Sequence, residues 1–301
     1  MTAIYRSEAG GQRVREQYER TLREWPVPCE HRRVPTRQGE TFVVVSGPEH
    51  APPLVLCHGS GTNAAIWMGD VAAWAEHFRV YAVDMIGEPG LSAPSRPPLD
   101  SAAYAQWLDD VLRELGVDRT ALAGASLGGW LALDYAIRRP DRVTSLVLLC
   151  PGGVGRQRWG WLFKAVLLRP FGRWGRRRTL RAVAGLDVPG VERFLDTMVL
   201  TDEHFLFRKE PLPVFPDAAL RGLTMPVLVI AGDRDAMLDT RETARRMAAA
   251  VPHADIRVLP GVRHSVVGQT ATVLDHLRRT GVTRERSGGL PGGGDESPDQ
   301  D

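Results

Sequence analysis

Gly124-Ala125-Ser126-Leu127-Gly128 is entered from a strand-like run, Arg119 to Ala123, and left through a helix-like run, Trp130 to Arg138. A serine placed where a strand turns sharply into a helix is forced into strained backbone geometry, and its hydroxyl projects above the sheet edge. Small residues on both flanks let the strand and the helix approach closely. In a chain with 31 glycines the Gly-x-Ser-x-Gly pattern alone is weak, so its reading as a nucleophile turn depends on the segments around it.

Three of those segments fall where serine-based chemistry needs them. Upstream, Pro53-Leu54-Val55-Leu56-Cys57 reads as a buried strand ending in His58-Gly59-Ser60-Gly61, a loop with little side-chain bulk whose backbone N–H groups stay open to a ligand. Downstream, Pro226-Val227-Leu228-Val229-Ile230-Ala231 is a second buried strand, and Gly232-Asp233-Arg234-Asp235 places carboxylates at its C-terminal end. After the strand-like Ile256-Arg257-Val258-Leu259 comes Pro260-Gly261-Val262-Arg263-His264-Ser265, a loop offering one imidazole. The order along the chain is Ser, then Asp, then His.

That order, on alternating strands and helices, resembles the α/β-hydrolase superfamily, and the resemblance covers residues 30–282. Within the superfamily the chain is most similar to the bacterial carboxylesterase and cofactor-free haloperoxidase type of serine hydrolase with an inserted helical cap. Val83-Asp84-Met85-Ile86-Gly87-Glu88-Pro89-Gly90-Leu91-Ser92 is similar to the family's strand-end segment Asp-x-x-Gly-x-Gly-x-Ser. It departs by one residue, because Glu88-Pro89 stand between the glycines where the commoner pattern has a single residue. The family's usual shape for that side of the pocket is therefore not carried over to this chain.

Each residue type has its own chemical reason. A serine hydroxyl is a poor nucleophile at neutral pH, so an imidazole must remove its proton during attack and return it to the leaving group, the role expected of His264. The other ring nitrogen needs a buried acceptor that sets the tautomer and stabilises the imidazolium. Asp235 is preferred for this over Asp233, because the family's acid usually follows Gly-x-x; Asp239 is a distant third. The oxyanion is expected between the backbone N–H of Leu127 and that of Ser60. Ser126, Asp235 and His264 are thus the expected catalytic set. Ser126 at the turn argues against dehalogenases and epoxide hydrolases of the same fold, which carry an aspartate there.

The remaining polar residues read as structural. His58 is expected to brace its loop, Asp84 to close a strand and cap the following turn, and His253 to sit on a surface turn. His31, His50, His77, His204 and His276 show no partner pattern, and no pair has metal-ligand spacing with carboxylates or cysteines. No metal and no cofactor are expected. Ser92 and Ser265 are loop residues with no base in view.

The 301 residues, 43% of them hydrophobic, suffice for one large α/β core plus an insertion. The net charge of +2 hides an uneven distribution: Arg156 to Arg181 carries nine Lys or Arg and no acidic residue. Nucleic acid is not implied, since no reading helix or zinc finger accompanies this run. A solvated cap face is its preferred reading; attraction of an anionic ester, or contact with anionic lipid headgroups through interleaved Trp and Arg, are the functional ones. Cys29, Cys57 and Cys150 give no disulfide framework and suit a reducing cytoplasm. The N-terminal Met1-Thr2-Ala3-Ile4-Tyr5-Arg6 lacks a long apolar stretch, so neither a signal peptide nor a lipoprotein anchor is expected. No run reaches membrane-spanning length.

Along the chain, residues 1–28 form an N-terminal extension whose helix spans Gln12 to Trp25, with Val14, Tyr18, Leu22 and Trp25 on its docking face. Cys29 to Thr36 and Glu40 to Ser46 read as an antiparallel pair turned at Gln38-Gly39. Parallel strands follow at Leu54 to Cys57, Val80 to Asp84, Ala121 to Gly124, Val143 to Leu149, Val227 to Ala231 and Ile256 to Leu259. This α/β alternation implies a doubly wound, mostly parallel sheet with its site at the strands' C-terminal ends. The core is assigned to residues 29–150 and 222–282, the cap to 151–221 and a disordered tail to 287–301. Aromatic residues of the cap (Trp159, Trp161, Phe163, Phe171, Trp174, Phe205, Phe207) predict an apolar acyl or alcohol group, while most of these side chains are expected to form the cap's own core. The expected activity is hydrolysis of a small to medium apolar carboxylic ester through an acyl-enzyme. Lactonase, thioesterase, carbon–carbon hydrolase and cofactor-free haloperoxidase share the triad, and a ligand sensor without turnover shares the fold.

Overall fold

Strands whose apolar residues run consecutively are covered on both faces, and the sheet here is of that kind. A computed structural model describes residues 4–186 and 192–285. Among them lie the strands β1 (Cys29–Val34), β2 (Thr41–Ser46), β3 (Pro53–Cys57), β4 (Arg79–Val83), β5 (Thr120–Ala125), β6 (Val143–Leu149), β7 (Val227–Gly232) and β8 (Asp255–Leu259). They form one eight-stranded sheet in the order β1-β2-β4-β3-β5-β6-β7-β8. β2 pairs antiparallel with β1 and with β4; the other pairings are parallel.

The α-helices are α1 (Glu8–Leu22), α2 (Val71–Ala75), α3 (Ala103–Glu114), α4 (Leu127–Arg138), α5 (Trp161–Leu168), α6 (Gly172–Ala184), α7 (Glu192–His204), α8 (Asp217–Leu220), α9 (Thr240–Ala250) and α10 (Thr270–Glu285). Alternate strand residues divide between two cores. Val43, Val45, Val55 and Leu122 pack with Trp107 and Leu108 of α3, Trp130 and Leu131 of α4 and Met247 of α9. Phe42, Val44, Leu54, Leu56 and Ala123 pack with Tyr18 and Leu22 of α1, Trp74 of α2 and Val273 and Leu277 of α10. Each fully buried Leu or Val contributes about 1.5–3 kcal/mol to the fold relative to exposure.

From β3 the chain steps outward to β4, then crosses back over β3 to β5 and continues to β6, β7 and β8. The direction of winding reverses between β3 and β5, and the crevice outside the strand ends at such a point is where doubly wound sheets place ligands.

The strand assignments made from sequence differ by a residue or two at their ends, as for Val80 to Asp84, where the strand is Arg79–Val83. The first helix differs more, beginning at Glu8 rather than Gln12 and ending at Leu22. Ser7 caps it by accepting from the Gly10 N–H at 3.1 Å. Gly10 and Gly11 allow close packing there: a Cβ on Gly10 would lie 2.6 Å from the His204 ring and one on Gly11 2.7 Å from the Tyr5 ring. Between β6 and β7 the chain leaves the sheet and carries α5 to α8. The tail at 287–301 and residues 187–191 of the insertion lie outside the described residues. Among the described residues no helix is long and apolar enough to cross a membrane.

Candidate active site

Ser126 stands between the end of β5 and the start of α4 with φ 53° and ψ −108°, a conformation that costs a non-glycine residue about 1–3 kcal/mol. The neighbours that enforce it allow no side chains. A Cβ on Gly124 would come within 2.2 Å of the Gly128 carbonyl oxygen, and one on Gly128 within 2.1 Å of the Cys57 carbonyl oxygen. The Ser126 N–H donates to the Leu149 carbonyl at 2.9 Å, and the Ser126 carbonyl accepts from Trp130 N–H at 2.9 Å and Gly152 N–H at 3.1 Å. The strained turn is thus held by strands β3 and β6 on either side.

Two further strand ends meet it. His264, after β8, lies 2.9 Å through Nε2 from Ser126 Oγ and 2.7 Å through Nδ1 from Asp235 Oδ2. The Asp235 side chain is 1% exposed and that of His264 12%. Asp235 Oδ1 accepts from the N–H groups of Met237 at 2.7 Å and Leu238 at 3.0 Å, which fixes the carboxylate's rotation. Gly232 lets the His264 loop cross the end of β7, since a Cβ there would fall 2.2 Å from the Val262 carbonyl oxygen.

The rival carboxylates point elsewhere. Asp233 is exposed and accepts from Gly261 N–H at 2.7 Å, bracing the turn that precedes His264. Asp239 caps α9 by accepting from Glu242 N–H at 3.1 Å and pairs with Arg158 at 3.0 Å. A serine, an imidazole and a buried carboxylate in one hydrogen-bonded line, at a strained strand-to-helix turn, make an apparatus for nucleophilic attack by Ser126 Oγ.

The Alpha/beta hydrolase family model matches residues 54–275, the span that holds every one of these groups. The chain belongs to the alpha/beta hydrolase family. It is 32% identical over 302 residues to the uncharacterised carboxylesterase nap of Bacillus subtilis (strain 168), covering 91% of this chain and 95% of that one. It is 30% identical over 262 residues to carboxylesterase YbfK of the same bacterium, covering 84% and 88%. The crystal structure of naproxen esterase (carboxylesterase NP) from Bacillus subtilis matches with a TM-score of 0.77 at 29% identity, over 91% of this chain and 98% of that chain.

In this alpha/beta hydrolase the loop after β3 lies against the turn, a Cβ on Gly59 falling 3.7 Å from that of Ser126. Leu127 N–H opens α4, where the first amides have no partner within the helix. His58 is 0% exposed; its Nε2 accepts from Met85 N–H at 2.9 Å, so Nδ1 carries the proton and donates to the Gly59 carbonyl at 2.9 Å. Asp84 accepts from Tyr18 Oη at 2.8 Å, Ala64 N–H at 2.9 Å and Leu91 N–H at 2.8 Å. Ser92 Oγ donates to the Asp84 carbonyl at 2.6 Å. His276, without a partner pattern in sequence, is buried within 3.1 Å of Ser145 Oγ.

Burial lowers the His58 pKa from 6.5 to about 4. Its folded value lies below its unfolded one, so between these limits the unfolded chain takes up the proton first and stability falls as pH falls. For this group the loss from about pH 7 to pH 5 is about 2 kcal/mol. Burial raises Asp84 to about 6 and Glu88 to about 7, which act in the opposite sense. The check is therefore differential: urea unfolding of His58→Gln should lose about 2 kcal/mol less than wild type over that range.

Glu88, at the departure from the family's pattern, is the functional neighbour that sequence reasoning left without a role. It is 1% exposed and accepts through Oε2 from Gly61 N–H at 2.7 Å and from Ser60 Oγ at 3.3 Å. Arg96 and Arg208 offset part of the effect of its burial. Arg96 donates to the Gly87 carbonyl at 2.9 Å and the Leu206 carbonyl at 2.7 Å, and Arg208 to Tyr104 Oη at 2.5 Å. Phe207 closes over the same loop, its ring 2.3 Å from where a Cβ on Gly61 would be. A carboxylate between two glycines gives no hint in sequence that it will be buried; its charged neighbours are Arg96, eight residues on, and Arg208, far along the chain.

Of the cap's aromatic residues, Phe205 is buried and Phe207 packs on the loop after β3, whereas Trp159, Phe163, Phe171 and Trp174 face outward rather than forming cap core. Leu212 replaces them beside the site, a Cβ on Gly152 falling 2.3 Å from its Cδ1. The insertion meets the loops after β3 and β6 through Phe207 and Leu212.

Proposed function

We propose that this hydrolase cleaves small to medium apolar carboxylic esters through an acyl-enzyme on Ser126. The observation that carries the reading is the unbroken hydrogen-bonded line from Ser126 Oγ through His264 to Asp235, and the likeness to carboxylesterases supports the choice of ester. His264 Nε2 takes the Ser126 proton as Oγ attacks the ester carbonyl. The negative oxygen that forms is received by the N–H groups of Ser60 and Leu127. Collapse breaks the carbon–oxygen bond, and His264 gives its proton to the departing alcohol. Water then repeats the sequence on the acyl-enzyme, with His264 again as base. Asp235 holds Nδ1 protonated throughout and stabilises the imidazolium. Residues 151–221 serve as the cap over a core formed by 29–150 and 222–282, with Phe207 and Leu212 setting the apolar wall. Cys29, Cys57 and Cys150 are all free, which fits a reducing cytoplasm.

A panel of p-nitrophenyl esters, lactones and thioesters of graded acyl length tests the reading. The expected result is hydrolysis that is fastest for short to medium esters. Preference for lactones or thioesters would reassign the substrate, and no turnover with any of them would leave a binding protein.

Glu88 acts on this reaction as a positioning residue, holding the Ser60-Gly61 segment so that Ser60 N–H meets the oxyanion. A misplaced donor costs up to about 100-fold. Glu88→Ala should therefore lower kcat by roughly 10- to 100-fold with little change in KM, and Glu88→Gln, which keeps an accepting oxygen for Gly61 N–H, should recover most of it. Equal losses in the two variants would reduce Glu88 to a packing role.

A further inference from the structure

The nine cations between Arg156 and Arg181 are far less available than their number implies. Arg156 pairs with Glu242, Arg158 with Asp239, Arg173 with Glu203, Arg176 with Asp202, Arg177 with Glu192 and Asp196, and Arg181 with Glu192. Six guanidinium groups thus meet six carboxylates. Lys164, Arg169 and Arg178 remain without an ion-pair partner among the described residues, and Arg178 lies over the Trp174 ring at 5.8 Å.

These three stand among apolar side chains that no described residue covers. α5 has no buried residue. Trp161, Ala165 and Leu168 form its partly buried side, while Leu162, Phe163, Val166 and Leu167 project the other way, and Trp159, Phe171 and Trp174 extend the patch at its ends. Their exposures run from 39% for Leu162 to 75% for Phe163. A helix whose only polar residue is Lys164 belongs against an apolar phase, and an exposed patch of this kind marks a contact site. Pairing of this face with itself in a second copy would bring like charges together. A surface that is apolar in depth and negative at its rim satisfies both the side chains and the three cations.

We propose that α5 and the start of α6 dock this protein on an anionic lipid surface. The apolar residues enter the boundary between headgroups and acyl chains, and Lys164, Arg169 and Arg178 meet the phosphates around them. The proposal is independent of the chemistry at Ser126. It replaces the solvated reading of the basic run.

The test is co-sedimentation of the full chain with vesicles of phosphatidylcholine alone and of phosphatidylcholine mixed with phosphatidylglycerol, at low and high salt. Binding is expected only to the anionic vesicles, weakening with salt, with a blue shift of tryptophan emission as Trp159 and Trp174 leave water. Replacing Lys164, Arg169 and Arg178 together by Gln should weaken binding on the order of 100-fold, taking about fivefold for each cation. Phe163→Ser with Leu167→Ser should weaken it more than about tenfold, at an unchanged thermal midpoint because both side chains are exposed. Equal binding to neutral vesicles would overturn the anionic assignment. Absence of vesicle binding, or a dimer that Phe163→Ser dissociates, would overturn the proposal outright.

Discussion

Ser126→Ala should lower kcat/KM for any ester the protein hydrolyses by about a million-fold, the scale on which serine hydrolases depend on this oxygen. A fluorophosphonate should label the wild-type chain once, at Ser126, and the variant not at all. The turn adds a second readout. With φ at 53°, the Ser126 backbone is one that glycine adopts without cost, so Ser126→Gly should be as inactive as the alanine variant yet more stable by about 1 kcal/mol in urea unfolding. Undiminished labelling of the alanine variant would remove Ser126 from the mechanism. A glycine variant less stable than wild type would show that the turn is not strained in solution.

Asp235→Asn is expected to cost about ten-thousand-fold in kcat while leaving the fold intact. The hydrogen bonds explain why so small a change is so expensive. One oxygen of residue 235 must still accept from Met237 and Leu238 N–H, so the new amide nitrogen faces His264 Nδ1. A donor there forces the ring proton onto Nε2, which then donates to Ser126 and cannot remove its proton. Asp233→Asn should change kcat by no more than about threefold, because Asp233 supports only the Gly261 turn, and an asparagine oxygen accepts that N–H equally well. The reverse ranking of the two variants would transfer the role to Asp233.

These two aspartates show where sequence reasoning stops. Strands β3, β5 and β7 were legible because both their faces are buried, so their apolar residues run on without polar interruption from Leu54 to Cys57, from Ala121 to Ala125 and from Val227 to Gly232. The strand-to-helix turn at Ser126 was legible because only glycine fits at 124 and 128. Position along the chain placed Asp233 and Asp235 two residues apart at one strand end, and nothing local says which of the pair turns inward. His264, brought alongside from beyond β8, meets Asp235 and not Asp233, which turns to Gly261. The start of α1 was misplaced for a related reason: the His204 ring, far along the chain, packs against Gly10 and holds residues before Gln12 in the helix.

Charge and aromatic content were the least readable. The run from Arg156 to Arg181 looks uniformly basic, yet six of its cations find carboxylates on α7 and α9 or at their caps, distant in sequence, and the free ones are decided by which way each helix face turns. Of the aromatic residues of the same run, Trp159, Phe163, Phe171 and Trp174 face outward instead of packing as cap core, while Phe207 and Leu212 meet the loops after β3 and β6. Local interactions and backbone sterics write strands, turns and the order Ser126, Asp235, His264 into the sequence. Which buried polar group meets which, and which apolar face stays uncovered, depend on contacts between residues far apart in the chain, and these exist only once the chain has folded.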